Sequence, residues 1–215
     1  NNLRKKHLEE RNKSEIQFFK NYCEESLDNS NSIFINRGDI NSEKNVKEII
    51  ALNPDLIISY GCSVIRSRLL EVFENKFINI HLGISPYYRG SGTNFWPFVE
   101  NELSFSEEKL HIDSGIDTGD IIHQIRARIK KNDSIHSIGN RLIKDSSAEC
   151  VKLIENFEKL KRYKKNNLTG RLYRNKDFSE ECIKKAYHNL DQKIENYLVK
   201  KNILDEKFPI IDTFE

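Results

Sequence analysis

The first thing this 215-residue chain lacks is methionine, because not one is present in the sequence. Average usage, on the order of two per hundred residues, would give several in a chain of this length. We therefore expect that the sequence is a fragment, or that some residues are missing from it. For the same reason, the spacings of the motifs below are taken as accurate to within about a residue.

The sequence also lacks a long apolar run and an excess of charge of one sign. No stretch approaches the roughly 20 apolar residues that span a bilayer, and no basic and then apolar leader opens the chain. The 35 Lys and Arg residues are nearly matched by 33 Asp and Glu residues, for a net charge of +2. This balance argues against electrostatic binding to nucleic acid or membranes. We therefore expect a cytoplasmic protein.

Paired cysteines are lacking as well. The four cysteines, Cys23, Cys62, Cys150 and Cys182, are widely scattered, and no two have the spacing of a zinc site. The histidines also show no spacing typical of metal ligands. We expect reduced thiols and no metal.

What is present in the first half of the chain is an alternation of apolar strands and helices. The pattern predicts a charged helix in residues 1–30, strands at 32–36, 56–60 and 76–80, and helices at 45–50, capped by Ser42, and at 64–74. This order predicts an α/β fold with a mostly parallel sheet and helices on both faces. Ligands of such sheets bind beyond the carboxyl ends of the strands, where residues 60–63 and 79–81 fall.

The second half is predicted to begin with a short helix at 93–100 and strands at 103–112 and 120–129. A long helix capped by Asp133 or Ser134 follows, to about residue 160, and then a polar linker at 159–167. A strand at 168–174 and a helix at 178–199 complete the pattern. We interpret residues 1–165 as a catalytic domain, which lacks a first strand if the sequence is a fragment, and residues 166–215 as a small C-terminal strand–helix extension.

Asn79 and His81 are the clearest candidates for catalytic residues. Side chains two apart on a strand point to the same side, so an amide and an imidazole would lie together. The amide N–H can donate to a carbonyl oxygen that gains negative charge, and the imidazole titrates near neutral pH and can move a proton. The pair is suited to acyl-type transfer.

A second element is Gly115-Ile116-Asp117-Thr118-Gly119. Its two glycines let the backbone turn tightly and approach a ligand. A carboxylate at Asp117 could orient His81 and raise its proton affinity, or relay a proton. Taken singly, each element is also compatible with an ordinary strand end or turn.

Together, Asn79-x-His81, the turn from Pro86 to Gly90, and Asp117 in its glycine-rich loop resemble the folate-dependent formyltransferases. This family includes glycinamide ribonucleotide, methionyl-tRNA and amino-sugar N-formyltransferases, and the similarity covers about residues 56–129. The resemblance implies a Rossmann-like fold and N10-formyltetrahydrofolate as co-substrate, without a metal. It also implies that Asn79 and protonated His81 stabilise a tetrahedral oxyanion, and that Asp117 supports His81.

The resemblance further implies where the two substrates bind. Folate would contact the loop after the second predicted strand and the loop before Asp117, that is Tyr60, Gly61, Cys62, Ser63, Val64, Ile65, Asp113, Gly115 and Ile116. The amine substrate would contact Arg89, Gly90 and Asn94.

The acceptor is expected to be a small molecule with a primary amine. Residues 166–215 are short for the barrel domain of the tRNA enzymes, and they depart from the plain purine enzyme, so elimination favours a nucleotide-linked amino sugar. The alternatives are a formyltetrahydrofolate hydrolase, a glycinamide ribonucleotide formyltransferase and a non-catalytic folate-binding module. A homodimer is left open.

Overall fold

The computed structural model describes residues 2–83, 87–102, 107–112, 120–164, 170–207 and 209–214, with the backbone alone for 107–112 and Lys207. These residues form six α-helices: Asn2–Glu25 (α1), Glu43–Leu52 (α2), Ser67–Val72 (α3), Trp96–Val99 (α4), Ile135–Glu155 (α5) and Glu180–Lys207 (α6). They also form six strands: Ile57–Tyr60 (β1), Phe77–His81 (β2), Tyr88–Gly90 (β3), Glu107–Ile112 (β4), Asp120–Arg126 (β5) and Arg171–Tyr173 (β6).

The main sheet has the strand order β1-β2-β4-β5. Strands β1 and β2 are parallel, with Ser59 opposite Asn79, because α3 carries the chain back between them. Strands β4 and β5 are antiparallel, since the seven residues that join them are too few for a crossover. The predicted α/β class is therefore confirmed. The described part of the sheet is not mostly parallel as expected, because β4 pairs antiparallel with both β2 and β5.

Helices cover both faces of the main sheet, as predicted. Phe77 of β2 packs with Val46 of α2 and Leu69 of α3 on one face. The next residue, Ile78, points to the other face and packs with Leu153 of α5. Adjacent residues of one strand thus anchor helices on opposite sides, which holds β2 in the centre of the fold.

Caps define the ends of two of these helices. The Ser42 hydroxyl accepts a hydrogen bond from the backbone N–H of Asn45 at the start of α2, and Ser134 and Ser137 form a capping box at the start of α5. Such caps satisfy backbone N–H groups that have no partner within the helix. Both helix starts agree with the sequence prediction.

The C-terminal elements complete the largest hydrophobic core. Strand β6 pairs in parallel with β3, and α6 packs against α4 and α1. Trp96 stacks on Tyr173 of β6 with ring centroids 4.3 Å apart, and Ile183 and Ala186 of α6 are fully buried in the same cluster. Residues after 166 are thus part of the packing that supports residues 88–99.

The predicted strand at 32–36 is wrong. Residues 27–36 form no regular element, and Ile33 and Phe34 are 57% and 90% exposed. A strand needs a neighbour for its backbone hydrogen bonds, and none of the described strands pairs with this segment.

The burial expected for residues 56–60 is also only half right. Ile58 and Tyr60 are 38% and 47% exposed, because among the described strands β1 lies at the edge of the sheet. Its Ser59 side chain, by contrast, is buried and points towards β2.

Candidate active site

The end of β2 brings together the polar groups that the sequence singles out. The Ser59 hydroxyl donates a 2.9 Å hydrogen bond to Oδ1 of Asn79 on the neighbouring strand. The parallel register makes this contact possible, because Ser59 and Asn79 are directly opposite. With Oδ1 occupied in this way, the Asn79 amide presents its N–H groups for other acceptors.

His81 is held by a second, independent contact. Its Nε2 lies 3.0 Å from the backbone carbonyl oxygen of Tyr88. Because a carbonyl oxygen only accepts hydrogen bonds, Nε2 carries the proton in this contact. The ring is buried, so both its orientation and its tautomer are set by the start of β3.

Strand β3 is in turn firmly anchored. Tyr88 is buried and its hydroxyl donates to the carboxylate of Glu102. Burial first, and then this carboxylate, raise the pKa of the Tyr88 hydroxyl well above its usual value. Gly90, at the end of β3, has φ +92°, and an added Cβ would lie 2.2 Å from the carbonyl oxygen of Tyr173. Glycine is required there because β6 passes so closely.

A cavity of about 510 Å³ opens beside Asn79 and His81. We call it the strand-end cavity; residues 59, 61–65, 70, 77, 79–81, 90–91 and 172–175 line it. Its volume lies within the range of about 300–1,000 Å³ typical of small-molecule sites. The strand ends, the loop after β1, and the end of β6 with the two residues after it therefore form one ligand-sized space.

Most of the residues predicted to contact folate line this cavity. Gly61, Cys62, Ser63, Val64 and Ile65 are all part of its wall. The lining does not include Tyr60, because successive side chains of a strand alternate and Ser59 is the one that points inwards.

The other predicted site residues fall in three places. Gly90 lines the strand-end cavity, Asn94 lines the second cavity described below, and Arg89 lines neither. The remaining predicted residues lie outside the described residues: Asp113, Gly115, Ile116 and Asp117.

A second cavity, of about 240 Å³, adjoins the first. We call it the helix-lined cavity; its lining comes from α1, the loop at 91–96, α5 and residues 174, 175 and 178. Ser91, Arg174 and Asn175 line both cavities. The two spaces therefore meet at these three residues.

The helix-lined cavity carries positive charge. Among its described lining residues are Arg4, Arg11 and Arg174, against a single carboxylate, Glu15, which lies 3.1 Å from Arg11. Its Asn94 and Asn140 side chains add amide groups. Such a lining is suited to an anionic group.

Two histidines form one wall of the helix-lined cavity. The Tyr187 hydroxyl lies 3.2 Å from Nδ1 of His7 and 3.2 Å from Nε2 of His136. Burial, followed by the charge of His136, lowers the pKa of His7 to about 4, and burial also lowers the pKa of His136. Both rings are therefore neutral near pH 7, and the positive charge of the cavity comes from its arginines.

With this geometry in hand, comparison with known proteins identifies the family. The family model described as formyl transferase matches residues 4–154. This chain belongs to the formyl transferase family. The predicted resemblance is therefore confirmed.

Curated relatives of this formyl transferase include methionyl-tRNA formyltransferases. The protein from Desulforamulus reducens is 28% identical over 103 residues, which are 48% of this chain and 32% of the relative. The protein from Geobacter metallireducens is 32% identical over 45% of this chain and 32% of the relative. The chain spans about a third of the length of these two relatives.

Solved structures with the same fold include sugar-modifying enzymes. The formyltransferase PseJ from Anoxybacillus kamchatkensis, in complex with UDP-4,6-dideoxy-4-formamido-L-AltNAc and tetrahydrofolate, is 26% identical with a TM-score of 0.55. That match covers 68% of this chain and 75% of PseJ. WlaRD, a sugar 3N-formyl transferase in the presence of dTDP and 5-N-formyl-THF, is 29% identical with a TM-score of 0.51, over 58% of this chain and 46% of WlaRD.

Two features of this formyl transferase were missed by reading its sequence. Ser59 gives no signal by itself, because its partner Asn79 is 20 residues away and only the strand register joins them. The Tyr88 carbonyl is a backbone group, so its contact with His81 cannot be predicted from residue type. Only the predicted parallel pairing of β1 with β2 could have suggested Ser59.

The described residues give no sign of a metal centre or a membrane span in this formyl transferase. No group of three or more His, Cys, Asp or Glu side chains in the described part of the chain is arranged to hold a metal ion. None of its described helices combines the length and the apolar character needed to cross a bilayer.

Proposed function

We propose that this chain transfers the formyl group of N10-formyltetrahydrofolate to the primary amine of a nucleotide-linked amino sugar. Membership of the formyl transferase family supports the reaction class. The strand-end cavity supports it as well, because Asn79 and His81 lie in the wall of a space large enough for a small molecule.

The observation that carries the proposal is the hydrogen bond from Ser59 to Oδ1 of Asn79. Because Oδ1 accepts the hydrogen bond from Ser59, the amide is oriented with its N–H groups available to donate to a substrate oxygen. When an amine attacks the formyl carbon, the carbonyl oxygen becomes an oxyanion and needs such a donor. Ser59 thereby prepares Asn79 for the tetrahedral intermediate before the substrates arrive.

His81 is proposed to handle the proton. Its Nε2–H donates to the Tyr88 carbonyl, which orients the ring, and an imidazole can gain and release a proton near neutral pH. The attacking amine loses one proton, and the departing folate nitrogen gains one, so the reaction needs no other reactant. Asp117, as predicted, would support this transfer.

The formyl donor is proposed to bind along residues 61–65. This loop lines the strand-end cavity together with Asn79 and His81. Val64 and Ile65 offer apolar contact for a flat ring, and backbone groups of the loop can hydrogen-bond to its edge. PseJ and WlaRD, which share the fold, are described with tetrahydrofolate and 5-N-formyl-THF.

The acceptor is proposed to extend from the strand-end cavity into the helix-lined cavity. The helix-lined cavity is smaller than a typical whole ligand site, so it suits one part of a ligand. Its arginines favour an anionic part, such as a diphosphate, while the amine reaches His81 beyond the shared residue Ser91. PseJ and WlaRD are described with a UDP-sugar and dTDP.

Other parts of the account stay predictions. These are the division at residue 165, a homodimer, a cytoplasmic location and the absence of a metal. The balanced charge of the sequence supports the expectation that the chain has no nucleic-acid partner.

The experiment is a turnover assay of the chain with N10-formyltetrahydrofolate and a panel of acceptors. The panel contains UDP- and dTDP-linked amino sugars, glycinamide ribonucleotide, methionyl-tRNA and no acceptor. We expect turnover with an amino sugar and loss of turnover in His81→Ala. Cys23→Ser serves as a matched control, because Cys23 is exposed on α1 and lines neither cavity.

Each other outcome has a defined meaning. Turnover without an acceptor would indicate a hydrolase. Turnover only with glycinamide ribonucleotide or only with the tRNA would show that the acceptor is not an amino sugar. The tRNA is included because the curated relatives are methionyl-tRNA formyltransferases. Binding of folate without any turnover would contradict the proposal of catalysis.

A further inference from the structure

Gly83 stands two residues after His81 and is not required by backbone conformation. The glycines of this chain with positive φ are, among the described residues, Gly38, Gly61, Gly90 and Gly92. Gly83 is outside that set, so any L-residue could adopt its backbone angles. Glycine at this position is therefore explained by the lack of room for a side chain.

The available space at Gly83 is already filled by Thr93. A Cβ at residue 83 would lie 2.4 Å from the Cβ of Thr93 and 2.8 Å from its Oγ1. The next nearest atom is Nε2 of His81, at 3.3 Å. Thr93 therefore takes, from a distant part of the sequence, the place that a side chain at residue 83 would have beside the imidazole.

The local backbone explains this convergence. The N–H of Gly83 donates to the carbonyl of His81 at 2.9 Å, which turns the chain tightly directly after His81. Thr93 lies in the turn that the bond from Phe95 N–H to Gly92 O closes at 2.9 Å. Thr93 is 4% exposed, so its side chain is locked in this position.

We propose that Thr93 is a positioning residue for His81, and that residues 83 and 93 form an exclusive pair in which one side chain supplies the hydroxyl beside Nε2. The inference rests on the proposed function only in calling His81 catalytic. Thr93 flanks the imidazole on the side where Nε2–H meets the Tyr88 carbonyl. In this role the Thr93 side chain, which fills the space beside residue 83, would limit rotation of the ring, and its hydroxyl would supply a polar neighbour to that hydrogen bond.

The test transfers the hydroxyl from one position to the other. Thr93→Val keeps the shape and removes the hydroxyl, Thr93→Ser keeps the hydroxyl, and Gly83→Ser alone forces two side chains into one space. The double variant Gly83→Ser/Thr93→Ala empties position 93 and places a hydroxyl at position 83.

The first readout is the tautomer and pKa of His81, from ¹⁵N spectra of histidine-labelled protein with His81→Gln as the assignment standard. This readout needs no turnover, so it separates failure of this inference from failure of the proposed function. We expect Thr93→Val to lower the pKa of His81, because an apolar side chain beside the ring disfavours the charged imidazolium. Thr93→Ser and the double variant should stay closer to the wild type than Gly83→Ser does.

The second readout is kinetic. We expect Thr93→Val to lower kcat about tenfold with KM within about twofold, because the positioning acts on the chemical step. The double variant should recover activity relative to Gly83→Ser. If Thr93→Val does not fold, the comparison of Gly83→Ser with the double variant decides. The inference would be overturned if Thr93→Val kept the wild-type tautomer, pKa and kcat. It would also be overturned if the double variant were no more active than Gly83→Ser.

Discussion

The two adjoining cavities are built in different ways. The strand-end cavity draws its reactive groups from the ends of β1 and β2, where the sheet register fixes Ser59 against Asn79 to 2.9 Å. The helix-lined cavity draws its groups from parts of the chain as far apart as Arg4 and Phe178, and its His7 contacts Tyr187, which is 180 residues away. The first depends on local strand geometry, and the second depends on the packing of three helices.

This difference suggests a division of labour. Fixed hydrogen-bond donors near a reacting carbonyl favour catalysis because they need no rearrangement during the reaction. A positively charged space favours holding an anionic part of a substrate. The comparison therefore predicts that variants in the first cavity act on kcat, and variants in the second act on KM or on stability.

The largest effect is expected from removing the reactive side chains of the strand-end cavity. Asn79→Ala and His81→Ala should each lower kcat by about 10²–10³-fold, the range observed when an oxyanion donor is lost. Steady-state kinetics with the active acceptor measures this, and calorimetric titration with UDP or dTDP measures acceptor binding separately. Loss of nucleotide binding in step with kcat would break the proposed division.

A large effect on stability is expected at Gly90, which lines the strand-end cavity next to the shared residue Ser91. Gly90→Ala adds a Cβ 2.2 Å from the Tyr173 carbonyl at φ +92°, so β3 and β6 must separate. We expect a loss of about 3 kcal/mol or more in the free energy of unfolding. Urea unfolding measures it, and Gly38→Ala is the matched control, since its φ is +94° with no atom within 4 Å of the added Cβ. Equal losses in both would mean that backbone strain, and not the close approach, is responsible.

The wall of the helix-lined cavity is expected to respond to acid. His7 has a folded-state pKa of about 4, below its unfolded value near 6.5, so the unfolded chain binds the proton first as the pH falls. The stability that this group contributes is therefore present above about pH 6.5 and is lost towards pH 4. Between pH 7 and pH 5 we expect a loss of about 1–2 kcal/mol from His7.

Urea unfolding at the two pH values measures this loss. His7→Gln should reduce the difference between them, whereas His188→Gln, at an exposed site on α6, should not. His136 faces the same tyrosine, and its pKa is lowered too, so part of the pH dependence should persist in His7→Gln. An unchanged pH dependence in His7→Gln would contradict the assignment.

The smallest effect is expected from the exposed arginine shared by the two cavities. Arg174→Gln should raise KM for a nucleotide-linked acceptor about tenfold with little change in kcat, and the effect should shrink at high salt. Lys131→Gln is the matched control, since it removes a surface cation that pairs with Glu195 outside both cavities. Equal KM values for the two variants would mean that the acceptor does not bind where the two cavities meet.

How much of this could be read from the sequence depends on the distance between partners. Asn79 and His81 were predictable because two residues on one strand share a side, and the caps at Ser42 and Ser134 because they act within one helical turn. Residues 61–65 were placed by the resemblance, and their position in the cavity wall agrees with it.

The remaining features depend on contacts between distant segments. The segment at 32–36 has the composition of a strand but no neighbour among the described strands, so propensity alone gave the wrong answer. Arg174 and Thr93 reach their sites because β6 packs beside β3 and because the turn at 92–95 packs against Gly83. Such contacts carry no local pattern in the sequence.

The most direct test of the central claim follows the formyl group itself. The chain is incubated with N10-formyltetrahydrofolate carrying ¹³C in the formyl group and with an equimolar nucleotide-linked amino sugar, and ¹³C NMR identifies the product. The account predicts that the label appears as a formamide carbon on the sugar, and that His81→Ala slows its appearance by about 10²–10³-fold. Label that appears as formate, or that stays on the folate in the wild-type protein, would contradict it.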